Sequence, residues 1–594
     1  MQQVGTTHNI PKDQITTVTD PPLYKHVVIE RHEIPVQVVY SYDLLDHQTH
    51  HAASEVLSVT SLTASNLDPG LSAKIVFEQK VPFSNHFYGV PFAQQNLDVI
   101  ATMGDFPYRP SDLFLKMYAA GLDAIRSQPS CGVVSPSLYG TSGTVPLTIV
   151  SVIPDIMQHY HDVIKNAKFE VLLATNAWEQ GKSTEAISSA IRILNEKHAS
   201  TNTRVVVKMI VDMGSVRNVL QPRYFKKPSK WVGMDLPEKS SIPHVDLEVI
   251  NYHVAPLGTF HSKFMVVDRR VALVNSNNIN TRSNVEMMTR FEGKIVNSLY
   301  DCFLISWHKS LLPDGLPCLN KVCTQPLWES IDPAEVMSLN SRLNSSNNAD
   351  STCDDDGTFV PFFSHTKHEP VPMAVVNRHP HATPGHGDLN TPQNAAWLAA
   401  LRFAEKEVFI QSPTFNAKPI VEAVLDACKR GIVVTLFVNI GFNDVSEGFV
   451  PWQGGTNEQV VERMYQELTA CGKDQFLKYY WYTAKDQNNP IHFLDGSRNC
   501  HVKFMQVDGK VGIAGSGNMD TQSWFHSQEV NVMVDSEQVV GEWMKAVYSN
   551  QNTLTRGLIN SGGLLVSGDE LPKKKIKVGT EKKSRRILVI ILKT

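Results

Sequence analysis

Apolar and polar positions along this chain follow one order, and they follow it twice. In PDIMQHYHDVIKNAK (154–168) the apolar residues recur with helical spacing and an Asp stands near the start. FEVLLATNA (169–177) is a nearly unbroken apolar run of the kind that fills a buried strand. TEAISSAIRILNEKHA (184–199) returns to helical spacing, and TRVVVKMIVD (203–212) reads as a second strand. The second block repeats the order. NAAWLAALRFAEKE (394–407) predicts a helix and VFIQSP (408–413) a strand. KPIVEAVLDACKRG (418–431) predicts a helix stopped by Gly431, and IVVTLFVNI (432–440) a strand. Helix–strand–helix–strand implies parallel β-α-β packing in each block.

Earlier in the chain, YKHVVIERHEIPVQVVYSYDLL (24–45) alternates like a strand in places. SDLFLKMYAAGLDAIRS (111–127) predicts a helix with Leu113, Met117, Ala120 and Leu122 near one face. The stretch 339–357 is rich in Ser, Asn and Asp and reads as a linker. These signals divide the chain into an N-terminal region (1–145), a first half (146–315), a connecting segment (316–390) with linker 339–357, a second half (391–560) and a basic tail (561–594).

After its strands each block reaches the same element. HSKFMVVDRRVALVNSNNINTRS starts at His261, and HVKFMQVDGKVGIAGSGNMDTQS starts at His501. Eleven of the 23 aligned positions are identical without a gap, including His261/His501, Lys263/Lys503, Asp268/Asp508, Ser276/Ser516 and Asn278/Asn518. KFMQVD alternates as a strand, Asp508-Gly509 is a turn signal, and VGIAG is the returning strand. The first copy turns at Asp268-Arg269-Arg270. Residues two apart on a strand share a face, so each His points with its Lys, and the hairpin returns Ser-x-Asn beside them.

Each copy is thus a half-site of imidazole, ammonium, hydroxyl and carboxamide. Two copies make a cavity suited to a phosphodiester, with Lys and Asn as donors. One neutral imidazole can attack phosphorus while the other, protonated, supplies a proton to the leaving oxygen. Two lysines and an imidazolium carry the positive charge, so no metal or cofactor is required, and no carboxylate cluster suited to Mg or Zn is evident. One copy alone would be compatible with a packed core histidine and a strand-end lysine. Two gapless copies, each with Ser-x-Asn eight residues after the Asp, are not.

At these residues the chain resembles the phospholipase D superfamily, whose signature is His-x-Lys-x4-Asp followed by Gly-Ser-x-Asn. The resemblance is strongest over 146–307 and 391–543. It implies an α/β fold of two pseudo-symmetric α-β-α halves packed against each other, with one active site shared between them in a monomeric pseudo-dimer. It implies His261 as nucleophile and His501 as acid and then base, with Asp268 and Asp508 completing the catalytic motifs from positions that also suit them to hold the hairpin turns. Lys263, Lys503, Ser276, Asn278, Ser516 and Asn518 would bind the phosphate, and Glu286 and Glu529 would orient the histidines. One departure stands out: the first copy has Asn275-Ser276 where the pattern has Gly-Ser. Asn tolerates the left-handed backbone better than most residues, so that half is read as intact. Asn176, Trp178, Pro413 and Phe415, at strand ends, are candidate mouth residues, and His253 and His492 are read as structural.

Composition narrows the partner. With 594 residues, 42% hydrophobic and 19% charged, this is an ordinary globular chain long enough for two or more packed units. Net charge is −4, but 573–594 alone carries +8, leaving −12 on the rest. A groove that tracks nucleic acid should be basic, so a metal-independent nuclease of the same superfamily is the second reading. A phosphodiesterase or phosphatidyltransferase acting on phospholipids, cardiolipin-synthase-like exchange included, is the first. A non-catalytic phosphate- or membrane-binding protein is the third. The basic tail offers peripheral contact with an anionic membrane. No signal peptide pattern opens the chain and ILVIIL (587–592) is too short to span a bilayer, so a cytoplasmic or peripheral-membrane location is expected. Eight cysteines without zinc spacing, Cys318 and Cys323 being the closest pair, predict mostly free thiols.

Overall fold

The computed structural model describes residues 25–31, 34–40, 96–134, 138–307, 360–442, 453–493 and 498–566. The linker 339–357, Cys318, Cys323 and the basic run from 573 lie outside these residues.

Both predicted β-α-β units form. In the first half, helix Ile153–Lys165 leads to strand Glu170–Ala174, helix Lys182–Thr201 and strand Val205–Val211. The two strands pair in parallel, from Glu170 opposite Val206 to Ala174 opposite Ile210. In the second, helix Pro392–Phe403 leads to strand Glu407–Ser412, helix Lys418–Arg430 and strand Val433–Val438, again parallel. Gly431 ends its helix at φ 93°, the left-handed cap that only glycine adopts without strain. Each sheet gains a third parallel strand that the patterning had not revealed: Val245–Val254 beside Val205–Val211, and Leu477–Trp481 beside Val433–Val438. The motif hairpins then pair antiparallel onto the first strand of each unit, Phe264–Val267 against Glu170–Ala174 and Phe504–Val507 against Glu407–Ser412.

One strand joins the halves. Gly140–Val152 pairs through Leu147–Val152 with Val285–Arg290 of the first half, and through Gly140–Gly143 with Val371–Ala374 of the second. The expected boundary at 145/146 therefore falls inside a strand shared by both sheets. Its N-terminal part, GTSGT, lacks the apolar run that advertises a strand. Helix Asp112–Ser127 likewise packs on Pro392–Phe403 of the second half. Its cap residue Ser111 donates from amide and hydroxyl to Asp535, both at 2.6 Å. That helix is buried over more than the predicted face: Phe114, Leu115, Tyr118 and Ala119 are fully buried, whereas Leu113 and Ala120 sit at its flank. The alternating stretch near the N-terminus forms an antiparallel hairpin, Lys25–Arg31 with Ile34–Tyr40.

Helices Ile295–Trp307 and Glu537–Ser549 close the two halves in corresponding places. Trp307, Trp397, Trp481, Trp524 and Trp543 are all fully buried, so aromatic bulk from both halves fills the interior. Cys131, Cys302, Cys428, Cys471 and Cys500 carry free thiols. Among the described residues no helix is long and apolar enough to cross a membrane.

Candidate active site

The two motif segments do not lie within strands, as the spacing argument assumed. His261–Lys263 and His501–Lys503 are extended lead-ins to strands that begin at Phe264 and Phe504. Their geometry is set by backbone bonds to the opposite half. The His261 amide donates to Gln528 O at 3.0 Å and the Gln528 amide to Thr259 O at 2.8 Å. The His501 amide donates to Val285 O and the Val285 amide to Asn499 O, both at 2.8 Å. Each motif is thus bridged to the segment of the other half that carries a glutamate one residue further on.

The result is an exchange. His261 Nδ1 lies 2.8 and 2.9 Å from the two carboxylate oxygens of Glu529. His501 Nδ1 lies 3.0 and 2.9 Å from those of Glu286. An ionised carboxylate only accepts, so the proton sits on Nδ1 of each ring and the lone pair on Nε2. Ser516 and Ser523 donate to Glu529 at 2.5 and 2.7 Å, and Ser276 donates to Glu286 at 2.6 Å. The two lysines fold back on their own motifs, Lys263 Nζ to His261 O at 2.7 Å and Lys503 Nζ to His501 O at 2.5 Å.

These groups form one buried electrostatic unit. Burial holds Lys263 down to about 7 and Lys503 to about 8, both far below an ordinary lysine, with Lys503 repelling Lys263 across the site. Burial lowers His261, and the positive charge of both lysines adds to this against the pull of Glu529. Burial likewise pushes His501 down to about 4, opposed by Glu286. Burial works to raise both glutamates, but the facing imidazole and lysine overcome it and hold each below its usual range. The two lysines are thus the groups left to carry positive charge beside the two ionised glutamates, with Asp212 and Asp520 as further carboxylates acting on them.

The family model described as cardiolipin synthase, PLD-like domain matches the chain twice, over residues 160–306 and 398–549, together half of its length. The chain belongs to the phospholipase D-like family. Among solved structures it is similar to the phosphatidylserine synthase of Haemophilus influenzae Rd KW20, at 11% identity and TM-score 0.42, covering 72% of this chain and 90% of that one. It is similar to a phospholipase D family member, Nuc, from Salmonella typhimurium, at 15% identity and TM-score 0.22, covering 31% and 95%. It is also similar to the polyphosphate kinase of Porphyromonas gingivalis, at 10% identity and TM-score 0.33, covering 65% and 47%. Comparison with curated proteins finds no match.

In this phospholipase D-like chain the other expected site residues fall into different places. Asp268 and Asp508 are not with the histidines. Asp268 accepts the amides of Lys168, Phe169 and Glu170 at 2.8, 2.8 and 2.9 Å, and Asp508 does the same for Glu405, Lys406 and Glu407. They clamp the hairpin turns to the strand starts, the turn-holding role that their positions also suited them to. Ser276 and Ser516 each spend the hydroxyl proton on a glutamate and accept a backbone amide, from Met287 and Val530. They position the glutamates and have no proton left for phosphate. Asn278 Oδ1 takes the Ala177 amide at 3.4 Å, and Asn518 Nδ2 donates to Asp520 at 2.9 Å.

The candidate mouth residues are packing residues. Trp178 is buried with its indole bonded to Met234 O at 2.8 Å, Phe415 is fully buried, and Asn176 and Pro413 lend carbonyls to Asp212 and Asn457. His253 is paired with Asp212 at 2.8 Å, and His492 packs over Gly441, where a Cβ would come within 2.2 Å of the ring. Two residues near His261 escaped the sequence reading. Ser523 is the last residue of the repeat, and Asp520 is buried and feels the His261 charge. The position matching Asp520 in the first copy is Asn280, so the two half-sites differ there.

The Asn275 departure has a steric cause rather than the left-handed one expected. Neither Asn275 nor Gly515 has positive φ. At Gly515 a Cβ would stand 2.2 Å from Val530 O and 2.5 Å from Asn531 Oδ1, so only glycine fits. In the first half Asn275 has room, and its carboxamide accepts the Tyr160 hydroxyl and donates to Asn277 O at 3.0 Å.

Proposed function

We propose that the chain is a phosphodiesterase or phosphatidyltransferase that acts on phospholipids through a covalent phosphohistidine. The observation that carries this reading is the pair of crossed histidine–glutamate contacts flanked by two depressed lysines. Each ring presents an unprotonated Nε2, the atom from which a nucleophile attacks or onto which an acid loads its proton. A diester anion entering the site restores full charge to the lysines and raises both imidazoles, so one can arrive protonated. Nε2 of His261 then attacks phosphorus, the bond from phosphorus to the leaving oxygen breaks, and His501 gives that oxygen its proton. Neutral His501 next removes a proton from water or an alcohol, whose oxygen attacks phosphorus and breaks the P–N bond. Glu529 and Glu286 stabilise the positive charge each ring carries in turn, and Lys263, Lys503, Asn278 and Asn518 hold the phosphate oxygens.

The test uses short-chain phospholipids with labelled phosphate, with and without added ethanol. Quenching in alkaline denaturant, where a P–N bond survives, should trap label on the peptide containing His261, acid should release it, and ethanol should divert product to the ethyl ester. His261→Ala and His501→Ala should each abolish turnover, because the halves share one site. Retention of half the activity in each variant would sink the model. Cleavage of single-stranded DNA with no lipid turnover would favour the nuclease reading.

A further inference from the structure

The segment from Ser215 to Met234 holds five Lys and Arg and no acidic residue, in a chain whose net charge is −4. It leaves the sheet at the end of strand Val205–Val211. That is the edge where the motif lies, because Asp212 accepts the Phe260 amide at 2.9 Å and the next residue is His261. The segment is built rather than frayed. Asn218 is buried, takes the Ser215 amide and the Asn251 side chain at 3.0 Å each, and donates to Pro222 O at 3.2 Å.

With Asn218 turned inward, its neighbours on the short 3-10 turn Val216–Val219 are forced out. Val216 is 90% exposed, Val219 71% and Leu220 86%. Residues three apart eclipse on such a turn, so these side chains form one aliphatic tip. Next to it lies a concavity of about 570 Å³ with Met213, Phe225 and Met234 in its wall and Arg217, Lys226 and Lys230 around it. The cations are held in place by the Tyr224 ring, Arg217 at 4.3 Å and Lys226 at 5.3 Å from its centroid. Among the described residues none of Arg217, Lys226, Lys227 and Lys230 is in an ion pair.

An exposed aliphatic tip has no reason to exist in water, where each such side chain forgoes about 1.5–3 kcal/mol of burial. Unpaired cations beside it match an anionic surface with an apolar layer beneath. Single-stranded nucleic acid would ask for exposed aromatic rings to stack on, but Tyr224 is only 7% exposed. We propose that Ser215–Met234 is a membrane-docking surface that inserts Val216, Val219 and Leu220 into an anionic phospholipid bilayer and sets Arg217, Lys226, Lys227 and Lys230 on its headgroups. It would deliver the lipid to the edge of the sheet that carries His261. This rests on the phospholipid reading above.

The test is sedimentation of the full chain with vesicles of phosphatidylcholine, alone or mixed with phosphatidylglycerol, together with turnover of a short-chain lipid dispersed as monomers. The wild type should sediment with the anionic vesicles. Each cation near such a surface contributes about fivefold, so neutralising three of them in R217Q/K227Q/K230Q should weaken binding on the order of 100-fold and reduce its salt dependence. V216D/L220D should weaken it at least about tenfold. Both variants should turn over the monomeric lipid like wild type, which also reports that they fold. Unchanged vesicle binding in both variants would overturn the proposal and pass the role to another segment, the basic tail included. Loss of single-stranded DNA binding with vesicle binding intact would also overturn it. Vesicle binding that depends on the patch, with no phospholipid turned over, would instead count against the proposed function alone.

Discussion

Replacing Glu529 by Gln tests the exchange between halves most directly. The change is nearly isosteric and lies 268 residues from the histidine it should affect. The carboxylate sits 2.8 and 2.9 Å from His261 Nδ1 and is fully buried. With charge centres about 4 Å apart and an effective dielectric of about 20, the attraction for a cationic ring is about 4 kcal/mol. The amide returns about 1 kcal/mol as a neutral hydrogen bond. The net loss of about 3 kcal/mol, felt only when His261 carries charge, corresponds to a fall in kcat on the order of 100-fold. Gln also offers an N–H to Nδ1. If that bond forms, the ring proton moves to Nε2, the attacking atom is blocked, and the loss is larger. Measurement requires kcat and kcat/KM on a monomeric phospholipid, trapped phosphohistidine, a urea midpoint, and nitrogen chemical shifts of both imidazoles. A folded variant within about fivefold of wild-type kcat would refute the reasoning. So would a variant that shifts the tautomer of His501 and leaves His261 alone, because the pairing would then lie within halves.

Other outcomes follow from the same geometry. A lysine is charged below its pKa, so with Lys263 near 7 and Lys503 near 8 in the empty site, kcat/KM should fall as pH rises through that range. Bound phosphate raises both, so the alkaline limb of kcat should lie at higher pH, and coincident limbs in the two profiles would contradict this. Gly515→Asn, which copies the first half, drives a Cβ to 2.2 Å from Val530 O and should destabilise the fold by about 3 kcal/mol or more in urea titration. Asn275→Gly should cost less, about 1–3 kcal/mol for the lost Tyr160 partner. Asp268→Asn should cost about 1.5–3 kcal/mol in stability, since three backbone amides lose a charged acceptor. Its kcat should match wild type, because the strand Phe264–Val267 puts about 13 Å between that carboxylate and the motif lysine. A tenfold fall in kcat would restore the aspartate to the chemistry.

Periodicity alone determined the two β-α-β units, because a buried strand must be apolar on both faces and its helices on one. The gapless repeat from His261 and His501 determined that two half-sites exist, because the residue types needed for phosphoryl transfer recur at one spacing. Neither signal says which group meets which. Glu286 lies closer in sequence to His261 and Glu529 to His501, yet each serves the other histidine. The reason is tertiary: backbone bridges from Phe260 to Gln528 and from Val285 to Cys500 lay each glutamate segment along the opposite motif. The serines read as phosphate ligands turned into supports for those glutamates, since a hydroxyl's partner depends on what the hairpin is folded against. The shared strand Gly140–Val152 was invisible because its residues are small and polar where two sheets already bury them. Local pattern encodes which face of an element is buried, and only the packing of the two halves selects the neighbour that buries it.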